Sequence, residues 1–315
     1  MILTDYFRSK PDLTWSLALS CGVTQGTIRL PEDEDFDVTS LSHLQNVVDN
    51  FKNYGITPII IEPLPNELHD HIKLGDDKRD ECIEKFIKLM ENMQKVGIGT
   101  VCFNFMAHYG WTRTSASLPE RGGAKVTGFD LAAFSDDGFT ISREKMWDNY
   151  EYFIKAVIPY AEKYGVKLAL HPDDPPLDTL GSVGRIFTSL DAIKRGMEIV
   201  PSDNLGVTFC QACYHLMGEK LEEAIPALAS KIFFVHFRNT CGCKTSFRET
   251  FHDNGEIEMA KAMKLYIENG VNCPVRVDHV PTMPFEDASV AGYDALGRLF
   301  AIGYLKGIIE AIERT

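Results

Sequence analysis

The 315-residue chain carries 32 Lys and Arg against 45 Asp and Glu, a formal net charge of −13, and 44% of its residues are apolar. That apolar share is ordinary for a globular protein and excludes wholesale disorder. The charge excludes a basic face for nucleic acid or anionic lipid, and no run approaches the roughly 20 apolar residues of a membrane helix. Short runs rich in Ile, Val, Leu and Phe, bounded by Gly, Pro, Asn or Asp, predict strands. Between them, apolar residues recur at helical spacing. In chain order the pattern predicts a strand at 2–7, a short helix at 13–20, a strand at 26–30 and a helix after Ser40. A strand at 57–62, a helix at 78–95 and a strand at 99–105 follow. Residues 107–139 read as an irregular insertion, dense in Gly, Arg, Ser and Thr, before a helix at 142–164. The rest alternates strands at 167–171, 205–210, 232–237 and 274–278 with helices at 183–200, 217–229, 257–269 and 292–312.

Eight strands alternating with eight helices imply right-handed βαβ units and a parallel sheet, and eight such units close most naturally into a (β/α)₈ TIM barrel. A single domain over 1–315 is expected, with 107–139 among the active-site loops. The rival is an open doubly wound sheet, but no G-x-G-x-x-G follows the early strands. The start, Met1-Ile2-Leu3-Thr4-Asp5, lacks the basic and apolar regions of a secretory signal, so the expected compartment is the cytoplasm. The eight cysteines lack the dense spacing of a disulfide scaffold, which agrees with a reducing compartment.

Four consecutive strands finish in a side chain able to bind a transition metal. The runs end at His171, Cys210, His236 and Asp278, the last followed by His279. Strand C-termini of a barrel converge on one face, where barrel enzymes hold their sites, so these four residues can share one ion. Two imidazoles, a thiolate and a carboxylate suit Mn²⁺, Fe²⁺, Co²⁺ or Zn²⁺ better than Mg²⁺ or Ca²⁺. A structural zinc site built from Cys210, Cys213, Cys241 and Cys243 is the alternative use of the cysteines.

The stretches His171-Pro-Asp-Asp-Pro-Pro176, Asn104-Phe-Met106, Trp111-Thr-Arg-Thr114, Gly206-Val-Thr-Phe-Cys210, Val235-His-Phe-Arg-Asn239 and Val277-Asp-His279 resemble the D-mannonate dehydratase family. The similarity extends through Glu249-Thr-Phe-His252 and Gly292-Tyr293, and so covers nearly the whole chain. The resemblance implies a xylose-isomerase-like barrel that binds one Mn²⁺ or Fe²⁺ and removes water from D-mannonate, giving 2-keto-3-deoxygluconate. It puts the metal ligands on His171, Cys210, His236 and Asp278 and the acid/base roles on His279 and Tyr293.

Such an elimination removes a proton beside a carboxylate and protonates a departing hydroxyl, so it needs two proton-transfer groups. Arg113 and Arg238 are the candidate carboxylate clamps, because guanidinium pairs bidentately with a planar carboxylate. Asn239 and Asp173 are candidates for binding sugar hydroxyls or bracing the ligands, and His252 for a substrate contact or a solvated side chain. Two departures stand out. The family has Gly-Arg after the Asp-His pair, where this chain has Val280-Pro281, and an Arg-Trp-Tyr-Gly motif where this chain has Asp5-Tyr6-Phe7-Arg8. Either another cation, Arg8 or Arg113, replaces the missing one, or the preferred substrate is a different sugar acid. The partner is a small sugar acid, with neither nucleic acid nor membrane, and the expected assembly is a homodimer. The competing readings are a divalent-metal sugar isomerase or epimerase on the same barrel and a non-catalytic sugar-acid-binding barrel.

Overall fold

The structure is a computed structural model and describes residues 1–287 and 290–314. Its centre is a closed barrel of eight parallel strands: β1 (Ile2–Phe7), β2 (Gln25–Ile28), β3 (Thr57–Ile61), β4 (Thr100–Asn104), β5 (Lys167–His171), β6 (Leu205–Cys210), β7 (Ile232–Phe237) and β8 (Pro274–Val277). Each strand pairs with its neighbour in sequence, and β1 closes the ring on β8 through Ile2–Pro274, Leu3–Val275 and Thr4–Arg276. This is the xylose-isomerase-like TIM barrel expected from the alternation, and no open edge is left between β1 and β8.

The connecting helices start and stop on ordinary signals. Ser40 caps the helix Leu41–Tyr54 by accepting from the His43 N–H, and Ser142 caps Arg143–Tyr164 by accepting from the Lys145 N–H. Gly165 then takes φ +66°, a left-handed turn that ends the helix and feeds β5. Their apolar faces pack on the barrel's outside, where Trp15 stacks on Phe51 at 4.1 Å between ring centroids. Inside the barrel, Ile60, Cys102, Ala169 and Phe234 form a small cluster of their own. No described helix is long and apolar enough to cross a membrane.

Three expectations are corrected. The stretch 107–139 is not irregular: Ser115–Pro119 and Lys125–Asp130 join Thr240–Cys243 and Ser246–Glu249 in a four-stranded antiparallel sheet outside the barrel. The sheet is held by Phe129 and Phe247, which pack with Leu177, Leu180 and Leu216. The helix expected over 183–200 begins only at Leu190, because Asp173 takes the Ile186 and Phe187 N–H groups and holds that segment extended. The helix expected over 217–229 spans only Leu221–Leu228, because Gly218 turns left-handed at φ +86° and ends a separate short helix, Gln211–Met217, that was not expected. A further helix, Asn66–Leu74, was not expected at all.

Candidate active site and metal centre

The strand ends open into a cavity of 450 Å³ whose wall includes His171, His236, Asp278, His279 and Tyr293. Registers set the level of the donors. Cys210 pairs with His236 across β6 and β7, and His171 pairs with Asn104 across β4 and β5. One donor atom each from His171, Cys210 and His236 lies within 4.8 Å of the other two. Asp278, just past β8, puts Oδ2 3.6 Å from His236 Nδ1.

Three observations bear on whether His171, Cys210 and His236 fit a divalent transition metal. The Nδ1 of His171 is 2.7 Å from the Pro172 carbonyl, which fixes Nδ1–H and leaves the Nε2 lone pair free. Both ring nitrogens of His236 are buried without an aligned hydrogen bond among the described residues, Nε2 lying 2.9 Å from Glu62 Oε1 and Nδ1 3.6 Å from Asp278 Oδ2. An imidazole set among carboxylates, a thiol and a second imidazole is a donor that a cation could use. The third is the state of Cys210. Burial alone raises a thiol's pKa, but Cys213 and the Arg238 guanidinium, with Nε 3.2 Å from Sγ, hold Cys210 well below its ordinary value. A thiolate is the ligand form of cysteine.

The His236 imidazole is pushed down by burial and Arg276, but Glu62, Asp278 and Cys210 outweigh them and hold it at about 9. Glu62 belongs to a second group of converging donors, with Cys102 and His236. Arg276 already occupies that carboxylate: its Nε lies 2.9 Å from Glu62 Oε2 and its Nη1 2.7 Å from Asp278 Oδ1. The guanidinium stands where a second cation would sit. Neither Glu62 nor Arg276 was singled out from the sequence. Glu62 closes the run predicted at 57–62, the same position that marked the ligands. Arg276 is a charge inside an otherwise apolar strand, which is itself an anomaly worth reading.

His279 and Tyr293 both line the cavity, with ring centroids 5.3 Å apart. The Tyr293 hydroxyl donates to Asp278 Oδ1 at 3.4 Å, and burial together with the Asp278 charge pushes its phenol well above 10.

The clamp candidates sit elsewhere. Arg113 and Arg238 are both in an ion-pair network under the cavity rather than on its wall. Arg113 grips Asp174 at 2.7 and 3.0 Å and reaches Glu249 at 2.6 Å. Arg238 donates to Asp174 at 2.5 Å and also to Glu249 Oε1. Burial would raise the Asp174 carboxyl, yet these two guanidiniums hold it well below the usual carboxylate range. The arginines on the wall are Arg8, Arg29 and Arg276. Arg29 pairs with Glu32, while Arg8 carries no side-chain hydrogen bond or ion pair among the described residues.

The remaining candidates also lie off the wall. Asp173 accepts from two backbone N–H groups and faces Arg185 at 3.7 Å. Asn239 donates to the His252 and Ile257 carbonyls and accepts from the Thr240 and Ile257 N–H groups, closing the loop 250–257. His252 is neither solvated nor at the cavity: it is 0% exposed, with Nε2 2.7 Å from the Phe237 carbonyl. Cys241 and Cys243 lie on the outer hairpin. Among the described residues no group of converging donors joins them to Cys210 and Cys213, so the structural zinc alternative has no support.

The chain is similar to known proteins of one family. The family profile of D-mannonate dehydratase (UxuA) matches residues 17–140 and 135–315. The mannonate dehydratase of Streptococcus agalactiae serotype Ia is 33% identical over 309 residues, covering 88% of each chain. That of Streptococcus uberis is 32% identical over 312 residues, covering 89% of this chain and 88% of its own. The crystal structure of mannonate dehydratase from Streptococcus suis serotype 2 superposes with a TM-score of 0.92 at 28% identity, covering 100% of this chain and 94% of that one. A D-psicose 3-epimerase from Clostridium cellulolyticum H10 shares the fold alone, with a TM-score of 0.64 at 13% identity over 99% of both chains.

Proposed function

The chain belongs to the D-mannonate dehydratase family and is a hydro-lyase of that type, and from that premise we propose how its own residues remove water from D-mannonate to give 2-keto-3-deoxygluconate. The observation that carries the reading is the convergence of His171, Cys210 and His236 within 4.8 Å beside a cavity that also holds His279 and Tyr293. His171, Cys210, His236 and Asp278 would hold one Mn²⁺ or Fe²⁺ per chain. When bound, the ion supplies Lewis-acid stabilisation of negative charge on the substrate's carboxylate and neighbouring oxygens.

The protein's own groups do the rest. The proton beside a carboxylate is a weak acid and hydroxide is a poor leaving group, so one residue takes a proton while another gives one. His279 and Tyr293 stand side by side at the cavity, ring centroids 5.3 Å apart, and divide these roles. The network of Arg113, Arg238, Asp174 and Glu249 fixes the floor on which they stand. Arg8 and Arg29, from the ends of β1 and β2, lie across the barrel mouth from His171 and Cys210 and bind the substrate's polar groups there. With Val280-Pro281 in place of the family's Gly-Arg, Arg8 is the free guanidinium at hand. Asp173, Asn239 and His252 brace the loops behind the site and do not meet the sugar. With all eight cysteines free, we assign the enzyme to the reducing cytoplasm.

The test is anaerobic loading with Mn²⁺ or Fe²⁺, followed by assay of keto-deoxy acid from D-mannonate. Product is expected from the loaded protein, while Cys210→Ser and His236→Ala should each bind less metal, since a soft or imidazole donor is lost. Full metal retention in both variants would sink the shared site. Interconversion of neutral sugars without keto-deoxy acid would replace the dehydratase with an isomerase.

A further inference from the structure

We propose that Glu249 is the positioning residue for His279, deciding which ring nitrogen carries the proton and which is left bare. The inference rests on the reading of His279 as a proton-transfer group. Its basis is a conflict at one atom. His279 Nδ1 lies 3.0 Å from Glu249 Oε1 and 2.6 Å from Arg238 Nη1. A carboxylate only accepts, so Glu249 requires Nδ1–H; a guanidinium only donates, so Arg238 requires a bare Nδ1. One neutral imidazole cannot satisfy both.

Glu249 wins for two reasons. First, Arg238 does not need the imidazole, because its guanidinium already donates to Asp174 and Glu249 and contacts the Cys210 and Cys213 sulfurs. Second, Glu249 is 1% exposed, so its carboxylate has no solvent to satisfy it and depends on the N–H groups around it. A buried carboxylate gains strongly from each N–H aimed at it. With Nδ1–H committed to Glu249, the bare Nε2 lies on the ring edge away from that carboxylate, 3.7 Å from Asp278 Oδ1.

The ring has little freedom to escape this choice. It sits between Trp111, with centroids 4.8 Å apart, and Tyr293, on a backbone with φ +23° that is tied down by the Val280 N–H to the Gly292 carbonyl at 2.8 Å. Glu249 itself comes from the hairpin of the outer antiparallel sheet, where it pairs with Thr240. The sheet outside the barrel therefore supplies the group that orients a side chain inside it.

The test is ¹⁵N NMR of histidine-labelled holoenzyme loaded with diamagnetic Zn²⁺, at a pH where imidazole is neutral, with the His279 signals assigned by their loss in His279→Ala. The wild type is expected to show His279 protonated on Nδ1. Glu249→Ala leaves only Arg238 at that atom, so the proton should move to Nε2 and kcat of the Mn²⁺ enzyme fall by about 10²–10⁴-fold, with metal content per chain unchanged. Arg113→Gln removes another partner of the same carboxylate and should leave the proton on Nδ1, a contrast that a merely structural network would not produce. A bare Nδ1 in the wild type overturns the proposal, and that spectrum requires no variant to fold. An unmoved proton in Glu249→Ala overturns it equally. Should His279→Ala turn over D-mannonate at the wild-type rate, the underlying reading of His279 fails, whatever the tautomer.

Discussion

His252 never meets the cavity, yet it shows how the site is held from behind. Burial, opposed by the backbone contact to Phe237 and by nearby carboxylates, pulls its imidazole down to about 4. Burial likewise holds His69 well below 6.5, with both ring nitrogens unpartnered among the described residues. Both fold as neutral side chains. An unfolded imidazole titrates near 6.5, so between about 6.5 and 4 the unfolded chain binds the extra proton and acid favours unfolding. The stability in question is complete above the unfolded pKa and is lost as pH falls through the folded one. For His252 a displacement from 6.5 to about 4 corresponds to roughly 3 kcal/mol. Urea unfolding of the metal-free protein should therefore show a fall in stability between pH 7 and pH 4.5 that is shallower in His252→Gln. Equal slopes for the two proteins would show that His252 does not carry the effect.

Gly128 is a tight point of the outer sheet. It pairs with Ser115 on one side and Arg248 on the other, and a Cβ there would stand 2.9 Å from the Phe247 carbonyl oxygen. Backbone cannot step aside as a flexible side chain can, so Gly128→Ala is expected to cost about 1–3 kcal/mol, the usual range for overpacking. Because Glu249 ends the neighbouring strand, the variant should also lose turnover. Thermal unfolding and kcat together check this, and unchanged values for both would mean the sheet is decoupled from the site. This sheet is also where the sequence was least readable. The bounds of β5, β6 and β7 were predicted to the residue, because each is an apolar run stopped sharply by polar or turn-forming residues. The proposed metal ligands were read from the ends of the apolar stretches in the same runs. The hairpin 240–249 reads Thr-Cys-Gly-Cys-Lys-Thr-Ser-Phe-Arg-Glu, with a single large apolar residue and no alternation to mark a strand. Its partner, Lys125–Asp130, lies far away in the chain, and only tertiary pairing reveals either. The clamp roles of Arg113 and Arg238 were misplaced for a related reason: guanidinium chemistry was legible, but Asp174 and Glu249 as its buried counterparts were not.

At the scale of the whole molecule, the proposed ligands come from four neighbouring strand ends, β5 to β8, so a bound ion ties half of the barrel rim together. Anything that binds only the folded state stabilises it by mass action, by about 2.7 kcal/mol when free metal is 100-fold above Kd. Chelation should lower Tm, and readdition of Mn²⁺ should restore it; Tm indifferent to both would argue that the four ends do not share an ion. The ring closure described above also has a consequence for synthesis. β1 emerges from the ribosome long before β8, and at about 5–20 residues per second the wait lasts roughly tens of seconds. Through that interval β1 can pair on one side only, with β2, and its other edge has no partner until Pro274–Val277 arrives. Asp278 follows immediately, the last of the four ligands to be made. A nascent chain therefore offers a metal at most three of its donors, and the complete set appears only in the step that seals the barrel.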